Sequence, residues 1–167
     1  MPFESDYAKG EAGIDRLANV AAAIELRLNP CIVIDVGTAV TLEAISAQGC
    51  FLGGSIFPGP ELASAALAGK AKQLPEIELR APESAVASDT HRGIQSGVIF
   101  GIAGAIDRLI DLTIAEKFYT EKPLEAGTTA VILTGGFAEL IAPHLRNGGA
   151  IEPNLTLTGV AKIYRSL

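Results

Sequence analysis

The sequence predicts a single α/β domain in which part of the sheet is antiparallel. Hydrophobic residues make up 49% of the 167 residues, and there are 18 glycines and no tryptophan. Such a composition of small and aliphatic side chains suits close packing of helices on a sheet. Three short apolar runs follow one another too closely for crossover helices, so they are expected to pair as hairpins. Longer stretches with apolar residues at helical spacing supply the α component.

The first half of the chain is predicted to contain an entry segment, a helix and three strands. Residues 1–12 are polar and are expected to lead into a helix that ends at Asn29-Pro30. Strands are predicted at 31–36, 41–46 and 50–57. The apolar face of the helix comprises Leu17, Val20, Ala21, Ile24 and Leu28.

The second half is predicted to be mainly helical. After the first helix, the predicted element order is therefore βββα-α-βα-α. Its predicted elements are a helix at 60–70, an irregular loop at 71–87, a long helix at about 90–118, an irregular connection at 119–127, a strand at 129–133, and helices near 137–146 and 155–166. Gly93, Gly97 and Gly101 recur every four residues on the long helix. This stripe would let another backbone approach closely, either that of the sheet or that of a second copy of the helix.

The stretch from Cys31 to Thr41 is where the sequence places its chemistry. An apolar run ends in Asp35 and is followed at once by Gly37 and Thr38. Gly37 can adopt a positive φ that turns backbone N–H groups toward an anion, while the hydroxyls of Thr38 and Thr41 can add donors. Asp35 can hold a cation that neutralises phosphate oxygens. An ordinary hairpin turn explains the same residues, so these few positions leave both interpretations open.

Two further positions support a ligand site. Gly135 and Gly136 follow the strand predicted at 129–133 and open a helix, a place where nucleotides commonly dock. Asp15 stands at the start of the first predicted helix, where the free N–H groups and the helix dipole favour its ionised form. Helix capping alone would also account for Asp15.

Several function classes lose support from the sequence. A formal charge of −6 argues against binding to a nucleic-acid backbone. The two cysteines and two histidines are not clustered as in zinc or dithiol sites. The Walker pattern, Gly-x-Gly-x-x-Gly and Gly-x-Ser-x-Gly are all missing from the sequence. No signal peptide and no apolar stretch of membrane-spanning length is found, so a cytoplasmic protein without membrane association is expected.

Taken in order and at these separations, five fragments resemble the type III pantothenate kinase family. The resemblance runs from about Tyr7 to Leu167. The fragments are Gly13-Ile14-Asp15-Arg16, Asp35-Val36-Gly37-Thr38-Ala39-Val40-Thr41, Phe51-Leu52-Gly53-Gly54-Ser55-Ile56-Phe57-Pro58-Gly59, Ser88-Asp89-Thr90 and Thr134-Gly135-Gly136.

The resemblance implies an actin-like ATPase and sugar-kinase fold, related to ribonuclease H, and ATP-dependent phosphorylation of pantothenate, the first step of coenzyme A synthesis. It implies that Asp15 is the general base and that Asp35 holds a monovalent cation, K⁺ or NH₄⁺. A divalent cation such as Mg²⁺ would accompany ATP. The implied pantothenate-binding residues are Tyr7, Gly13, Ile14, Asp15, Arg16 and Thr90, and the implied nucleotide-binding residues are Gly37, Thr38, Thr41, Gly135 and Gly136.

The resemblance also implies a homodimer, which would give the glycine stripe of the helix at about 90–118 a use. Family members begin with another half that carries an Asp-x-Gly-Asn-Thr phosphate loop, and nothing similar precedes Asp15. The chain is therefore expected to be a single domain corresponding to the carboxy-terminal half, whose activity alone is an open question. Two alternatives remain: a non-catalytic pantothenate-binding or regulatory module, and another phosphotransferase or phosphatase of the same superfamily.

Overall fold

A five-stranded mixed sheet lies at the centre of the computed structural model, which describes residues 2–71, 73–118 and 129–166. The strand order is β3-β2-β1-β4-β5. β1, β2 and β3 form antiparallel pairs, whereas β4 runs parallel to β1 and β5 parallel to β4. The strands are β1 Cys31–Val36, β2 Ala39–Ile45, β3 Phe51–Pro58, β4 Ala130–Thr134 and β5 Ala150–Ile151.

Helices cover both faces of this sheet. Their bounds are α1 Ile14–Glu25, α2 Pro60–Lys70, α3 Thr90–Thr113, α4 Ala138–Ile141 and α5 Leu155–Arg165. A turn of π-helix, Ile114–Phe118, extends α3, and a turn of 3₁₀-helix, Ala142–His144, extends α4. None of the described helices is both long enough and apolar enough to cross a membrane.

The strand alternation separates two hydrophobic cores. Ile32 and Ile34 of β1 face α3 and pack with Ile99 and Ile106. The next residues in the pleat point to the opposite face, where α1 and α5 lie; there the buried apolar residues include Val20, Cys31, Val33, Phe51, Ile132 and Leu155. Polar residues of β1 and β2 on this second face are therefore enclosed by α1 and α5.

Close packing of α5 on α1 depends on one glycine. A Cβ atom placed on Gly159 would overlap the carbonyl oxygen of Ala18. The two helices thus touch backbone to backbone. This contact brings the first turns of both helices to the same edge of the sheet as the carboxyl ends of β1 and β4.

Most predicted elements are confirmed, with differences at their ends. The first helix ends at Glu25 rather than at Asn29-Pro30, because Arg27 adopts a left-handed conformation with φ of 54°. The helix predicted near 137–146 is only α4 and a 3₁₀ turn, and the short strand β5 was not predicted. The entry segment joins the sheet edge, since Ser5 forms a parallel bridge with Phe51. The connection predicted at 119–127 lies outside the described residues.

Candidate functional site

Asp35 lies at the edge where the parallel strands β1 and β4 both end. Its partner in the register is Thr134, the last residue of β4, and Thr134 is buried. Gly135 follows with φ of 93°, and a Cβ atom there would lie 2.5 Å from Asp35 Oδ1. A glycine is therefore needed at position 135 both for the left-handed turn and for the space beside the carboxylate.

A fully buried amide on α1 holds the Asp35 carboxylate. Asn19 Nδ2 donates to Asp35 Oδ2 over 3.0 Å, and Thr156 Oγ1 of α5 donates to Asn19 Oδ1 over 2.7 Å. Three elements thus converge on one carboxyl group. Asn19 was not among the residues predicted from the sequence; its signal was a polar residue on the helix face that also carries Asp15 one turn earlier.

Partial burial raises the pKa of Asp35 above its ordinary value. The hydrogen bond from Asn19 opposes this rise, while the negative charge of nearby Asp15 adds to it. The ionised form of such a carboxyl group is stabilised by a cation that binds next to it. Among the described residues, no three His, Cys, Asp or Glu side chains are grouped as a metal site.

Asp15 lies in the first turn of α1 and is exposed. Gly13 is the N-cap residue and offers no side chain, while Asp15 Oδ1 accepts a hydrogen bond from the backbone N–H of Arg16 over 2.8 Å. A Cβ atom on Gly13 would collide with the Asp15 carboxylate. The position is thus suited both to binding free N–H groups of the helix and to presenting a carboxylate to solvent. Ile14 beside it is also exposed.

Arg16 points the other way, into the sheet, and forms a buried ion pair. Its Nε donates to Glu43 Oε1 over 2.8 Å, and the side chain of Glu43 is completely buried in the middle of β2. Burial raises the pKa of Glu43 to about 7, and the Arg16 guanidinium limits that rise. Burial alone would lower the pKa of Arg16, but its bonds to Glu43 and Tyr7 outweigh this effect and raise it. Glu43 was not among the residues predicted from the sequence.

Two aromatic rings complete this cluster. Tyr7 stacks on Phe51 with ring centroids 5.3 Å apart, and Arg16 Nη1 donates to the Tyr7 hydroxyl over 3.2 Å. The Arg16 guanidinium carbon lies 5.0 Å from the Tyr7 ring centroid, within cation–π distance. A Cβ atom on Gly54 would lie 3.2 Å from Arg16 Nη2. The structure therefore brings the predicted residues Tyr7 and Arg16 together, and Asp15 precedes Arg16 at the start of α1.

The Gly37-Thr38 loop is a tight hairpin, and one expectation about it is wrong. Gly37 does not adopt a positive φ, and its N–H donates to the carbonyl oxygen of Ala39 within the turn. That N–H is therefore engaged in the hairpin instead of being turned toward an anion. Thr38 is exposed beside this turn, and Gly136 is exposed beside Gly135 across the same edge. Thr41 faces Asp35 directly across β1 and β2.

Thr90 is the predicted site residue that the structure does not bring to this cluster. It begins α3, which packs on the opposite face of the sheet from Arg16. Thr90 instead lines an apolar groove of about 660 Å³ between α2 and α3. Phe57, Leu67, Leu74, Ile94 and Gly97 also line this groove.

The glycine stripe of α3 does not pack against the sheet. Cβ atoms placed on Gly93, Gly97, Gly101 and Gly104 would meet no atom within 4 Å. The suggestion that the sheet backbone approaches this stripe is therefore wrong for the described part of the chain. The stripe remains open on the surface of the molecule.

Together these residues define an α/β protein whose carboxylates and glycine turns gather where parallel strands end, the usual place of ligand binding in such sheets. Residues 1–112 match the family model described as type III pantothenate kinase. The chain therefore belongs to the type III pantothenate kinase family.

Individual relatives agree with the family model. A protein of Frankia alni named type III pantothenate kinase is 42% identical over 164 residues, which cover 98% of this chain and 62% of that protein. The corresponding protein of Saccharopolyspora erythraea is 40% identical over 98% of this chain and 60% of its own length. The chain thus spans about 60% of the length of these relatives.

A solved structure supports the fold. The crystal structure of a Campylobacter jejuni protein, described as a conserved candidate Baf family transcriptional activator, superposes with a TM-score of 0.65 and 22% identity. The match covers 98% of this chain and 69% of that chain. The expected mixed sheet with an antiparallel three-strand part and packed helices is confirmed.

Proposed function

We propose that this chain forms the pantothenate-binding part and one side of the ATP site of a kinase that phosphorylates pantothenate, the first step of coenzyme A synthesis. The observation that carries the proposal is the placement of Asp15 and Arg16 on the sheet face that also holds Asp35, where β1 and β4 end. The names of the relatives support the substrate. A cytoplasmic location is part of this proposal.

Asp15 is the general base in this proposal. Its carboxylate is exposed at the start of α1, next to the cluster of Arg16 and Tyr7 that would bind pantothenate. It takes the proton from the substrate hydroxyl as that oxygen attacks the terminal phosphoryl group of ATP, and the bond from that phosphorus to the ADP leaving group breaks. Gly13 and Ile14 line the same turn and shape the entrance to the pocket.

Asp35 is the cation-binding residue in this proposal. One carboxylate oxygen is held by Asn19, and the other lies beside the Gly135 turn. The family resemblance assigns K⁺ or NH₄⁺ to this carboxylate, and partial burial together with the negative charge of Asp15 makes a neighbouring cation favourable here. Mg²⁺ would bind mainly through the phosphates of ATP. These cations supply positive charge next to the transferred phosphoryl group.

The nucleotide would be contacted from one side by five residues: Thr38, Thr41, Gly37, Gly135 and Gly136. The first two supply hydroxyl groups and the glycines leave room for phosphate or adenosine. Proteins of this superfamily grip ATP between two halves, and the described residues contain one five-stranded sheet. We therefore expect the 167-residue chain alone to bind ATP weakly.

Homodimerisation through α3 would complete the pantothenate pocket. Thr90 lies on the other face of the sheet from Arg16, so we expect it to reach the pocket of Arg16 from the partner subunit. The open glycine stripe beside Thr90 gives a second copy of α3 a surface for close approach. Leu67 and Ile94 of the adjoining groove would be covered in such a dimer.

Calorimetry tests the proposal directly. Pantothenate is titrated into the 167-residue chain and into the full-length relative from Frankia alni, and ATP is titrated into both with Mg²⁺ and K⁺ present. We expect pantothenate to bind to both, and ATP to bind well only where both sides of the site are present. A 167-residue chain that does not bind pantothenate would overturn the proposal. In that case a non-catalytic module or another phosphotransferase would replace it.

A further inference from the structure

We propose that Glu43 is a positioning residue of the substrate pocket: it holds the Arg16 guanidinium so that the remaining N–H groups of Arg16 face the carboxylate of pantothenate. This inference rests on the proposed function and adds a residue to it. Glu43 itself does not touch the substrate. Its effect on binding passes through Arg16.

Glu43 occupies the middle of strand β2. Its side chain is completely buried, although it stands in the middle of a strand where an apolar residue would cost nothing in desolvation. Its cross-strand neighbours are Val33 on β1 and Gly54 on β3, neither of which carries a charge. Among the described residues, Arg16 is the only partner with which Glu43 forms an ion pair. The carboxylate is therefore placed in the sheet to meet this one guanidinium.

The Arg16 guanidinium is held by hydrogen bonds to Glu43 and Tyr7. Its Nε donates to Glu43 at the inner end, Nη1 donates to Tyr7, and the charge lies over the Tyr7 and Phe51 rings. Nη2 is buried and has no hydrogen-bond partner within the described ranges. An orphaned buried donor of a charged group is costly, which points to a ligand that accepts from it. A carboxylate is the group that a planar guanidinium binds best.

A glycine leaves the space in which Arg16 Nη2 lies. Gly54 has no side chain, and a Cβ atom there would lie 3.2 Å from Nη2 and overlap the carbonyl oxygen of Leu42. Gly53 has φ of 113° and lies beside the Tyr7 ring. The glycine pair thus makes room for Arg16 and Tyr7. Fixing a long side chain such as that of Arg16 costs conformational entropy. Without the bond to Glu43 to offset this cost, we expect the guanidinium to rotate toward solvent.

The variants Glu43→Gln and Glu43→Asp separate the charge of Glu43 from its reach. Glu43→Gln keeps the shape and removes the charge, while Glu43→Asp keeps the charge and retracts it by one methylene. Circular dichroism first establishes that each variant is folded. Glu78→Gln is the matched control, because Glu78 forms an exposed ion pair with Arg80 in a segment whose Ile77 and Leu79 pack on the α3 face of the sheet.

The ¹⁵N NMR signal of the Arg16 Nε–H group reports positioning without any substrate. We expect its hydrogen exchange in the 167-residue chain to be at least roughly tenfold faster in Glu43→Gln than in the native protein, because a buried charge-assisted hydrogen bond is lost. Glu78→Gln should leave this signal unchanged. An unaltered Arg16 signal in both Glu43 variants would overturn the inference, whatever the protein binds.

A double-mutant cycle then tests the link to pantothenate. In the 167-residue chain, Glu43→Gln should weaken pantothenate binding on the order of tenfold. Arg16→Lys should weaken pantothenate binding as well, and the double variant should bind no worse than Arg16→Lys alone. Additive losses would mean that Glu43 acts independently of Arg16 and would overturn the inference. A native protein that fails to bind pantothenate would overturn the proposed function, and the NMR result would still decide whether Glu43 positions Arg16.

Discussion

Asn19 donates its side-chain amide to Asp35 over 3.0 Å, and this bond fixes a carboxylate at the end of one strand from a helix on the face of the sheet. The Thr156 hydroxyl fixes the amide in turn. The orientation of the proposed cation-binding group thus depends on two residues that would not touch the cation. Such outer hydrogen bonds are common around ligand sites.

Replacing Asn19 should raise the pKa of Asp35 further. The hydrogen bond from Asn19 stabilises the ionised carboxylate, so Asn19→Leu removes a contribution that now lowers the pKa. A ¹³C NMR titration of the Asp35 carboxyl group measures the change. Thr158→Val is the matched control, because the Thr158 hydroxyl bonds only to the carbonyl oxygen of Asn154 on the outer side of α5. An unchanged or lower pKa of Asp35 in Asn19→Leu would contradict the prediction.

In the proposed kinase, Asp15→Asn should lower turnover by roughly 10²–10⁴-fold, the usual size of a general-base contribution. Pantothenate binding should change less, since the amide keeps the size and the hydrogen bond to the Arg16 N–H. Steady-state kinetics with calorimetry separates the two effects. Glu61→Gln is the control, because Glu61 is an exposed acidic residue in the first turn of α2. Near-normal turnover in Asp15→Asn would reduce Asp15 to a residue that stabilises the start of α1.

The sequence predicted the sheet well because its signals are local. The β-branched run before Asp35 and the short connections on either side of β2 determine three strands and their antiparallel pairing without help from distant residues. Tyr7, Asp15 and Arg16 were predicted through a resemblance, and the structure brings Tyr7 and Arg16 together. Their common location depends on α1 lying on one particular face of the sheet, which local patterns do not specify.

The unpredicted residues share a different property. Glu43 reads as a solvated strand residue in the sequence, and only the arrival of Arg16 from α1 makes its burial possible. Asn19 reads as an ordinary helix residue until Asp35 and Thr156 are placed on either side of it. Both are polar groups whose partners lie far away in sequence, so tertiary contacts override the local signal. The positive φ predicted for Gly37 was wrong for a related reason, since the N–H of Gly37 donates to the carbonyl oxygen of Ala39 within the hairpin.

In the proposed homodimer, Gly97→Leu should shift the protein from dimer to monomer or aggregate. A Cβ atom on Gly97 meets nothing within 4 Å in the single chain, so a larger side chain fits the monomer but would block a second α3. Sedimentation velocity measures the change. Gly69→Leu on α2 is the control, because Gly69 also has open space around it and is not part of the stripe. A dimer that persists in Gly97→Leu would mean that the stripe is not the subunit contact.

Gly159→Ala should destabilise the fold by about 1–3 kcal/mol, the usual cost of overpacking. The added methyl group would overlap the backbone of Ala18 and push α5 away from α1. Urea unfolding of the 167-residue chain measures the loss. Gly69→Ala serves as the control and should stabilise the protein by about 0.5–1 kcal/mol, because alanine is the better helix residue at an open position. Equal stability of both variants would show that α5 can move at no cost.

The stability of the protein relative to Glu43→Gln should fall as the pH rises from about 4.5 to about 7. Burial raises the pKa of Glu43 from an ordinary 4.5 to about 7, so the folded state binds its proton more tightly than the unfolded state does. The resulting stabilisation is complete below the unfolded pKa and is lost as the pH rises through the folded one. Its full size is about 3 kcal/mol from the two pKa values. The glutamine variant has no proton to release at this position, so titrating groups that do not interact with Glu43 affect both proteins alike.

Urea unfolding of both proteins at several pH values between about 4.5 and 8 measures this difference. We expect the free energy of unfolding of the native protein to decline relative to that of Glu43→Gln across the window, and the gap to become constant above it. Glu78→Gln should show no such trend, because Glu78 is exposed and its bond to Arg80 lowers the pKa of that carboxyl. A gap that stays constant throughout would mean that Arg16 keeps Glu43 ionised at every pH tested. In that case the attraction between the two charges outweighs the cost of burying them.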